Sequence, residues 1–463
     1  MSDDRPRQVR GAVGVHRAVA RIRELADATP DRRDRYVDLL RAVAILVVVL
    51  GHWLTSAVTT TDGRLGGVNL IYVETWVHPV TWLFQVLPLF FLVGGYVNAA
   101  SLDAHRGRGD SVAAWVRSRA LRLLRPTAVF VAVLVAGYAV ALGVGADPQV
   151  TRTAVWLAGI SLWFLVVYLA VVALAPAVIA WQRRCGIWTL VTLLVIVAAG
   201  DTARVITGSD LPATANYVVG WLAVHQVGVL WRDGALTRTR RTAWALAVGG
   251  AVVAVSLITW GPYGITMVGS APPPELGNAD PPTLALLALA ALQAGVALLL
   301  RPVLEGWLHR ARVWRAVVAV NAVILTIFLW HMVPVVIAGA TLVATGVFPQ
   351  PDVGSGQWFA LRVPWLAVLA VILAAVVAAF ARVEVAAPRA RGRAPSAWTV
   401  GVGVVTCVAA LAGIGVSGAE GVIPPVLGLP LGELTLFGLG LTVISRAGLG
   451  GRTTTAPVGV AGD

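Results

Sequence analysis

The sequence predicts an all-α fold, a polytopic membrane helix bundle of about 10–12 transmembrane helices. Of its 463 residues, 58% are hydrophobic and only 13% are charged, and the mean hydropathy is +0.80. A soluble chain of this length needs more polar residues to cover its surface. The apolar residues also form runs of about twenty, the length at which a helix crosses about 30 Å of hydrocarbon. These runs are continuous rather than alternating, which favours helices over a membrane barrel.

Twelve apolar segments account for the predicted helices, and the last of them is weaker than the others. In chain order they are 37–58, 76–100, 127–145, 161–181, 186–200, 215–231, 243–260, 282–300, 317–343, 363–381, 398–416 and 424–445. The predicted organisation is an arginine-rich cytoplasmic tail at 1–34, a membrane domain at 35–381, and a C-terminal part at 382–463. That last part is expected to hold a cytoplasmic loop, one or two further helices and a tail.

The connections between these segments alternate in composition. One set is rich in arginine: 101–126, 182–184, 232–241, 301–315 and 382–393. The other set is poor in arginine and rich in Gly, Pro, Asp and Thr: 59–75, 146–152, 201–214, 261–282 and 346–362. The positive-inside rule therefore predicts a plasma (inner) membrane protein with a cytoplasmic N-terminus. The same asymmetry explains the net charge of +13 better than nucleic-acid binding does.

Other sequence features exclude several chemistries. The N-terminal tail has no apolar core, so no cleavable signal peptide is expected. The two cysteines, Cys185 and Cys407, are far apart and belong to no metal or redox motif. No zinc-type cluster and no serine-hydrolase motif is present, so no metal is expected. The pair Gly94-Gly95 follows no predicted strand, which favours close helix packing over a phosphate-binding loop.

The first apolar segment, 35-RYVDLLRAVAILVVVLGHWL-54, contains two residues that are costly in hydrocarbon, Arg41 and His52. Eleven steps of 100° amount to three turns plus about 20°, so both side chains lie on one side of the helix. Their separation along the axis is about 16 Å. Asp38 precedes Arg41 by three residues and can pair with it. This face therefore combines a charged cluster at the cytoplasmic end with an imidazole deeper in the membrane.

Such a face suits a long ligand whose anionic end is held by Arg41 while its reactive end lies near His52. Coenzyme A, with phosphates at one end and a thioester at the other, has this form. An imidazole is a suitable general base for an attacking hydroxyl because its unperturbed pKa lies near neutrality. The spacing alone equally fits a structural histidine and an arginine that reaches to the membrane interface.

Several segments resemble the acyltransferase-3 family of integral membrane acyltransferases, over roughly residues 35–380. The most specific is Arg41, ten intervening positions and His52, which matches the family's first helix. The others are 88-PLFFLVGGYVNAAS-101, 115-WVRSRALRLLRP-126, 161-SLWFLVVYL-169 and 326-TIFLWHMVPV-335. Gly94 stands where the family usually has serine, and Ser161 where histidine is common. These two departures indicate a divergent member of the family.

The resemblance implies a membrane acyltransferase that modifies sugars, lipids or secondary metabolites. It implies that His52 is catalytic and that Arg41 binds the acyl donor or holds its tunnel. It also implies that Arg119, Arg122 and Arg125 meet the donor's phosphates. The expected donor is acyl-CoA, most simply acetyl-CoA, and the expected acceptor is a glycan, a glycolipid or a small molecule. Membrane lipids are the expected surroundings, and nucleic acid is not an expected partner.

Further residues are weaker candidates for the substrate cavity. His331 lies in an apolar segment and either lines the same cavity as His52 or packs in the core. Glu74 and His78 either face an acceptor or mark the membrane interface. Trp163 either walls the cavity or packs, as most membrane aromatics do. His225 is expected to be structural.

Two other functions remain open at this point. Arginine and histidine in membrane helices also occur in ion and proton pathways, so a transporter or flippase of a glycolipid or metabolite is one alternative. The absence of an internal repeat argues against it. The departures at Gly94 and Ser161 allow a second alternative, a non-catalytic scaffold with the fold of an acyltransferase.

Overall fold

A computed structural model of the chain describes residues 24, 27, 33–61, 64–269, 275–385, 395–420 and 429–447. The predicted N-terminal tail, 1–34, lies almost wholly outside these residues. Ten helices or helix runs within the described part are long and apolar enough to span a membrane. The predicted all-α membrane bundle of about 10–12 helices is therefore confirmed.

The helices follow one another with mostly short connections. In chain order they are α1 (Arg35–Thr55), α2 (Leu70–Val73), α3 (Thr81–Phe84), α4 (Leu87–Gly107), α5 (Val112–Gly143), α6 (Pro148–Ala158), α7 (Leu162–Cys185), α8 (Ile187–Thr207), α9 (Asn216–Arg232), α10 (Arg240–Trp260), α11 (Leu284–Leu308), α12 (Ala311–Ala322), α13 (Ile324–Trp330), α14 (Val333–Ala338), α15 (Gly356–Val385), α16 (Ala397–Glu420) and α17 (Leu431–Arg446). Short 3-10 helices lie at Thr75–Val77 and Leu211–Ala213, and a π-helical turn lies at Gly339–Val343.

Helix α1 carries Arg41 and His52 and packs against several other helices. The Asp34 carboxylate accepts hydrogen bonds from the backbone N–H groups of Tyr36 and Val37, which caps the helix start. The helix then contacts α4, α11, α12, α13 and α15. We call the side of the bundle where α1 begins the basic side, and the side where it ends the hairpin side.

The hairpin side is named after a β-hairpin, whose two strands the sequence did not lead us to expect. Strands β1 (Ser56–Thr61) and β2 (Arg64–Asn69) pair antiparallel, with Ser56 opposite Asn69. They replace the last three residues of the predicted helical segment 37–58 and the first part of the connection predicted at 59–75. The signal was present, since a threonine-rich run precedes Asp62-Gly63, a dipeptide typical of two-residue hairpin loops.

Three of the arginine-rich connections also differ from expectation, because they are largely helical. Residues 101–126 form the end of α4 and the first half of α5, 182–184 belong to α7, and 301–315 form the end of α11 and the start of α12. Arg183 donates to the carboxylates of Asp103 and Asp233 at 2.7–3.1 Å, which links the ends of α4, α7 and α9. Hydropathy marks only the apolar part of a helix, so polar extensions beyond the membrane were assigned to loops.

Helices α4 and α9 cross in close contact, as Gly94-Gly95 led us to expect. A methyl group added at Gly95 would overlap the backbone carbonyl of His225. One added at Gly228 would overlap the carbonyl of Leu92 on the facing helix. The two glycines therefore permit a backbone-to-backbone approach that other residues would prevent.

Replacing Gly95 with alanine is expected to destabilise the bundle by more than the ~1–3 kcal/mol typical of overpacking, because backbone rather than a side chain must move. The melting temperature of the detergent-solubilised protein, followed by size-exclusion fluorescence, measures this. Gly137→Ala in α5 is the matched control, since no heavy atom lies within 4 Å of the added methyl. Equal melting temperatures for the two variants would contradict the close crossing.

The C-terminal helices α16 and α17 form an antiparallel pair that packs on α5, α6 and α7. Arg117, near the start of α5, donates hydrogen bonds to the backbone carbonyls of Ile444 and Ser445 at 2.8 and 2.7 Å. Helix α17 therefore ends on the basic side. These contacts connect the last part of the chain to the helix that carries Arg119, Arg122 and Arg125.

Candidate active site

Arg41 and His52, both half-buried on α1, face one segment of the chain, residues 311–338. Arg41 contacts Asn321 on α12, and His52 contacts His331 in the break between α13 and α14. The predicted placement of Arg41 and His52 on one side of the helix therefore matches the structure. The two ends of this interface differ in chemistry.

Two histidines, His52 and His331, face each other at the end of this interface that lies on the hairpin side. The rings of His52 and His331 lie 5.0 Å apart between centroids, edge to face. His52 Nδ1 lies 2.9 Å from the carbonyl oxygen of Val48, and His331 Nδ1 lies 2.6 Å from that of Phe328. A carbonyl oxygen only accepts, so Nδ1 carries the proton in each ring and Nε2 carries a lone pair. His331 Nε2 is buried and has no partner among the described residues.

The break at His331 follows from the sequence. Pro334 has no N–H to donate to the carbonyl of Trp330 four residues earlier, so the helical ladder is interrupted here. The carbonyl of His331 is free of the ladder and accepts a hydrogen bond from the indole N–H of Trp53 at 2.6 Å. Ser161 donates to the carbonyl of Leu329 at 3.3 Å. Contacts from α1 and from the start of α7 thus position the histidine on the broken helix.

Trp53→Phe is expected to lower kcat about 3- to 10-fold while leaving the KM for the acyl donor unchanged. The change keeps the buried ring but removes the N–H that holds His331, and one neutral hydrogen bond contributes about 0.5–1.5 kcal/mol. Steady-state kinetics separate the two constants. Trp163→Phe, at a tryptophan on the bundle surface, is the control. A rise in KM with kcat preserved would contradict a positioning role for Trp53.

The basic end of the interface is a cluster around Arg41. Its Nε donates to Asn321 Oδ1 at 2.6 Å, and Asn321 Nδ2 donates to the carbonyls of Asp38 and Val317, both at 2.9 Å. The orientation of the amide is therefore determined by its own bonds. The Asp38 carboxylate lies 3.7 Å from an Arg41 Nη atom and accepts from Arg33 Nε at 2.5 Å. The expected Asp38–Arg41 pair is present, and two arginines share the carboxylate.

Arginines of α5 extend this cluster. The positive charges of Arg119 and Arg122 both lie close enough to Arg41 to interact with it. Arg119 lies over the ring of Trp115, at 5.6 Å from its centroid, and Arg122 is exposed. Arg125 is instead near Arg117. The structure thus brings Arg41, Arg119 and Arg122 together and places Arg125 towards the C-terminal helix pair.

Aromatic side chains connect the two ends of the interface. Tyr168, which interacts with the charges of Arg41 and Arg119, stacks on Phe164 at 5.7 Å. Phe164 contacts Phe328 at 4.9 Å, and Phe328 lies 6.0 Å from His331. The site is therefore a basic cluster, an apolar wall and a histidine pair, in that order along α1.

Comparison with known proteins identifies the family of the chain. Residues 34–382 match the family model of the acyltransferase-3 family, described as an acyltransferase domain. The chain belongs to the acyltransferase-3 family. No curated protein and no solved structure matches the chain. The family match makes membrane acyl transfer the general activity, and it ends before α16.

The two departures from the family's usual residues have local explanations in this acyltransferase. A methyl group at Gly94 would lie 3.4 Å from the Tyr168 ring, so a serine there would touch the aromatic wall. Ser161, in place of the more common histidine, is buried and lies against the backbone two residues before His331. Both positions border the site.

The remaining candidates lie away from the histidine pair. Trp163 is 38% exposed on the bundle surface, and its neighbour Phe164 takes the interior position. Glu74 ends α2 on the hairpin side, and His78 Nε2 lies 2.9 Å from the carbonyl of Ile71. His225 is fully buried between the side-chain amides of Asn98 and Gln226, a structural environment.

Sequence reasoning missed four contributors to the site: Asn321, Trp53, Phe164 and Phe328. Asn321 follows Arg41 by 280 residues, and the other three looked like ordinary apolar residues of their segments. Asn321 alone carried a signal, because an amide inside the predicted segment 317–343 needs a hydrogen-bond partner. Its partner could not be inferred from spacing, since it lies on another helix.

Proposed function

We propose that this acyltransferase moves an acyl group, most simply acetyl, from acyl-CoA to a hydroxyl of a glycan, glycolipid or small-molecule acceptor. The observation that carries the proposal is the order of chemistry along one face of α1. A basic cluster lies at one end, and a histidine with a free Nε2 lies at the other. A donor with an anionic end and a reactive end about one half-membrane apart suits this order.

The donor's phosphates are assigned to the basic side. Arg41, Arg119 and Arg122 supply guanidinium groups, which form charge-assisted and often bidentate bonds to phosphate. Three neighbouring positive charges without three matching carboxylates are costly, so an anion at this place relieves their repulsion. Acyl-CoA is a cytoplasmic metabolite, and the proposal therefore places the basic side and the N-terminus in the cytoplasm, as the arginine distribution predicts.

The reactive part of the donor is assigned to the aromatic wall and the histidine pair. The apolar arm would lie along Tyr168, Phe164 and Phe328, which bury it from water and from competing hydrolysis. This places the thioester carbonyl beside His52. The acceptor approaches from the hairpin side, at the other end of α1.

The proposed chemistry is direct transfer by general-base catalysis. His52 Nε2 accepts the proton of the acceptor hydroxyl while the oxygen attacks the thioester carbonyl. The tetrahedral intermediate then expels the coenzyme A thiolate, which accepts from the imidazolium the proton that came from the acceptor hydroxyl. The products are the ester and free coenzyme A. The lone pair of His331 Nε2 suits it to accept a hydrogen bond from protonated His52, which would stabilise the imidazolium.

The test is release of free coenzyme A from acetyl-CoA by purified protein in lipid nanodiscs. The reaction is run with and without a membrane lipid and glycan extract, and acyl transfer is followed with a labelled acetyl group. Extract-stimulated release with label in the extract is the expected result. Donor hydrolysis that the extract does not stimulate, or transport of label without bond cleavage, would contradict the proposal.

A second measurement separates direct transfer from a route through an acylated protein residue. The protein is incubated with acetyl-CoA alone, and its intact mass is recorded. Direct transfer predicts no increase, whereas a covalent intermediate adds one acetyl group that disappears when acceptor is supplied.

A further inference from the structure

A pocket on the hairpin side lies close to the end of α1 and takes no part in the chemistry above. Its walls come from strand β1, from the π-helical turn and the connection after it, and from the start of α15. The lining is mostly apolar and aromatic, with Phe348, Trp358 and Trp365 among its residues. Arg362 contributes the only charged side chain of that lining. We call it the hairpin-side pocket.

Arg362 is buried without a counter-charge. It is 7% exposed, and the described residues provide no carboxylate partner for it. Its guanidinium lies over the ring of Trp358, 4.0 Å from the centroid, and one Nη donates to the carbonyl of Ser56 at 3.1 Å. Its Nε has no partner within the described parts of the chain. A charge in such a position normally has a partner, because burying an unpaired ion costs several kcal/mol.

Capping of α1 accounts for only part of this arrangement. The bond to Ser56 satisfies one of five guanidinium N–H groups and places positive charge at the helix C-terminal end, where it is favourable. A backbone carbonyl does not neutralise the full charge, and it leaves the Nε–H unsatisfied. The remaining donors and the charge are suited to an oxyanion, which a guanidinium binds in bidentate fashion.

The pocket is well placed for the acceptor. Ser56 follows His52 by four residues, which is about 6 Å along the helix axis. The pocket lies on the hairpin side, opposite the basic cluster assigned to the donor. A ligand whose anion is held there would lie on the hairpin side, at the His52 end of α1.

We infer that the hairpin-side pocket binds an oxyanion, carboxylate or phosphate, on the acceptor of acyl transfer. Trp358 and Trp365 are themselves buried, so only the oxyanion of the acceptor would enter the pocket, where Arg362 would select acceptors that carry negative charge. This inference rests on the proposed function for the role of the ligand, but binding itself requires no acyl donor. It predicts that anionic sugars bind and that matched neutral sugars do not.

The test uses the full-length protein labelled with 5-fluorotryptophan and observed by fluorine NMR in nanodiscs. The resonance of Trp358 is assigned with Trp358→Phe, and the probes are glucuronate, glucose 1-phosphate and glucose. The two anions are expected to shift this resonance saturably, and glucose is expected to leave it unchanged. Equal shifts with glucose and the anions, or no shift with any probe, would overturn the inference.

Variants test whether Arg362 is the residue that contacts the anion. Arg362→Gln is expected to weaken binding of both anions by about tenfold or more, as loss of a charge-assisted bond does, and Arg362→Lys by less. Arg152→Gln removes an exposed arginine of α6 and should change nothing. Val353→Phe fills the pocket from the connecting segment and leaves Arg362 intact, so it must also abolish binding. Binding that survives Val353→Phe would place the ligand elsewhere, even if the arginine variants fail to fold.

The outcomes for the pocket and for acyl transfer are independent. Anion binding with no coenzyme A release would retain the pocket and remove its assignment to an acyl acceptor. Coenzyme A release without anion binding would retain acyl transfer and remove the pocket. If both hold, the anionic sugar that shifts Trp358 is the first compound to test as an acceptor.

Discussion

Replacement of His52 by alanine is expected to lower acceptor-stimulated coenzyme A release by about 10²- to 10⁴-fold, the usual contribution of a general base. The side chain has its Nδ1 proton committed to the Val48 carbonyl, which leaves the Nε2 lone pair for the acceptor hydroxyl. Alanine removes that base and leaves the basic cluster, about 16 Å away along α1, untouched. Binding of acetyl-CoA, measured by calorimetry in nanodiscs, is therefore expected to be retained.

His309→Ala is the matched control, because His309 is an exposed histidine at the end of α11. It should release coenzyme A at the wild-type rate. His331→Ala is expected to reduce kcat less than His52→Ala does, since it removes the partner of the imidazolium rather than the base. A larger loss in His331→Ala would exchange the two roles, and full activity in His52→Ala would remove His52 from the chemistry.

The part of the site that sequence predicts well is the part contained in one helix. Helix α1 begins one residue after a capping aspartate and continues unbroken to Thr55, so its period fixes the relation of Arg41 to His52. The pairing of Asp38 with Arg41 is likewise a matter of spacing within one helix. Local geometry needs no knowledge of the rest of the fold.

The part that sequence does not predict is made by contacts between distant segments. His331 was one of several histidines in apolar segments, and only its ring contact with His52 distinguishes it from His225. Arg125 has the same spacing as Arg119 and Arg122, yet the rotation of α5 directs it towards Arg117. The spacing of residues along one helix does not show which histidine or which arginine belongs to the site, because the neighbours that decide this lie on other parts of the chain.

The hairpin-side pocket shows the same limit at a smaller scale. Arg362 lies in 346–362, a stretch assigned to the arginine-poor connections, where a single arginine carried no signal. Its burial depends on β1, on the π-helical turn and on the first turns of α15 together. The amino-acid composition of a stretch does not show which single residue is buried. A binding site depends on one such residue and on the residues that surround it in the fold.

Arg41→Ala is expected to raise the KM for acetyl-CoA about 10- to 100-fold, with little change in kcat at saturating donor. Loss of a charged hydrogen bond costs about 1.5–3 kcal/mol, and the histidine pair at the other end of α1 is unaffected. Arg119→Ala should behave similarly, because its charge interacts with that of Arg41. Arg125→Ala is the matched control from the same helix, and its effect should be smaller.

A change in KM alone does not distinguish phosphate binding from loss of structure, because Arg41 also holds Asn321. Changing the donor distinguishes the two explanations. S-acetyl-pantetheine carries the thioester and the apolar arm but no phosphate, so it cannot gain from a phosphate-binding arginine. If Arg41 binds phosphate, wild type and Arg41→Ala use S-acetyl-pantetheine with the same KM and differ only with acetyl-CoA. If Arg41 only supports α12, the variant is impaired with both donors, and the basic cluster loses its assignment.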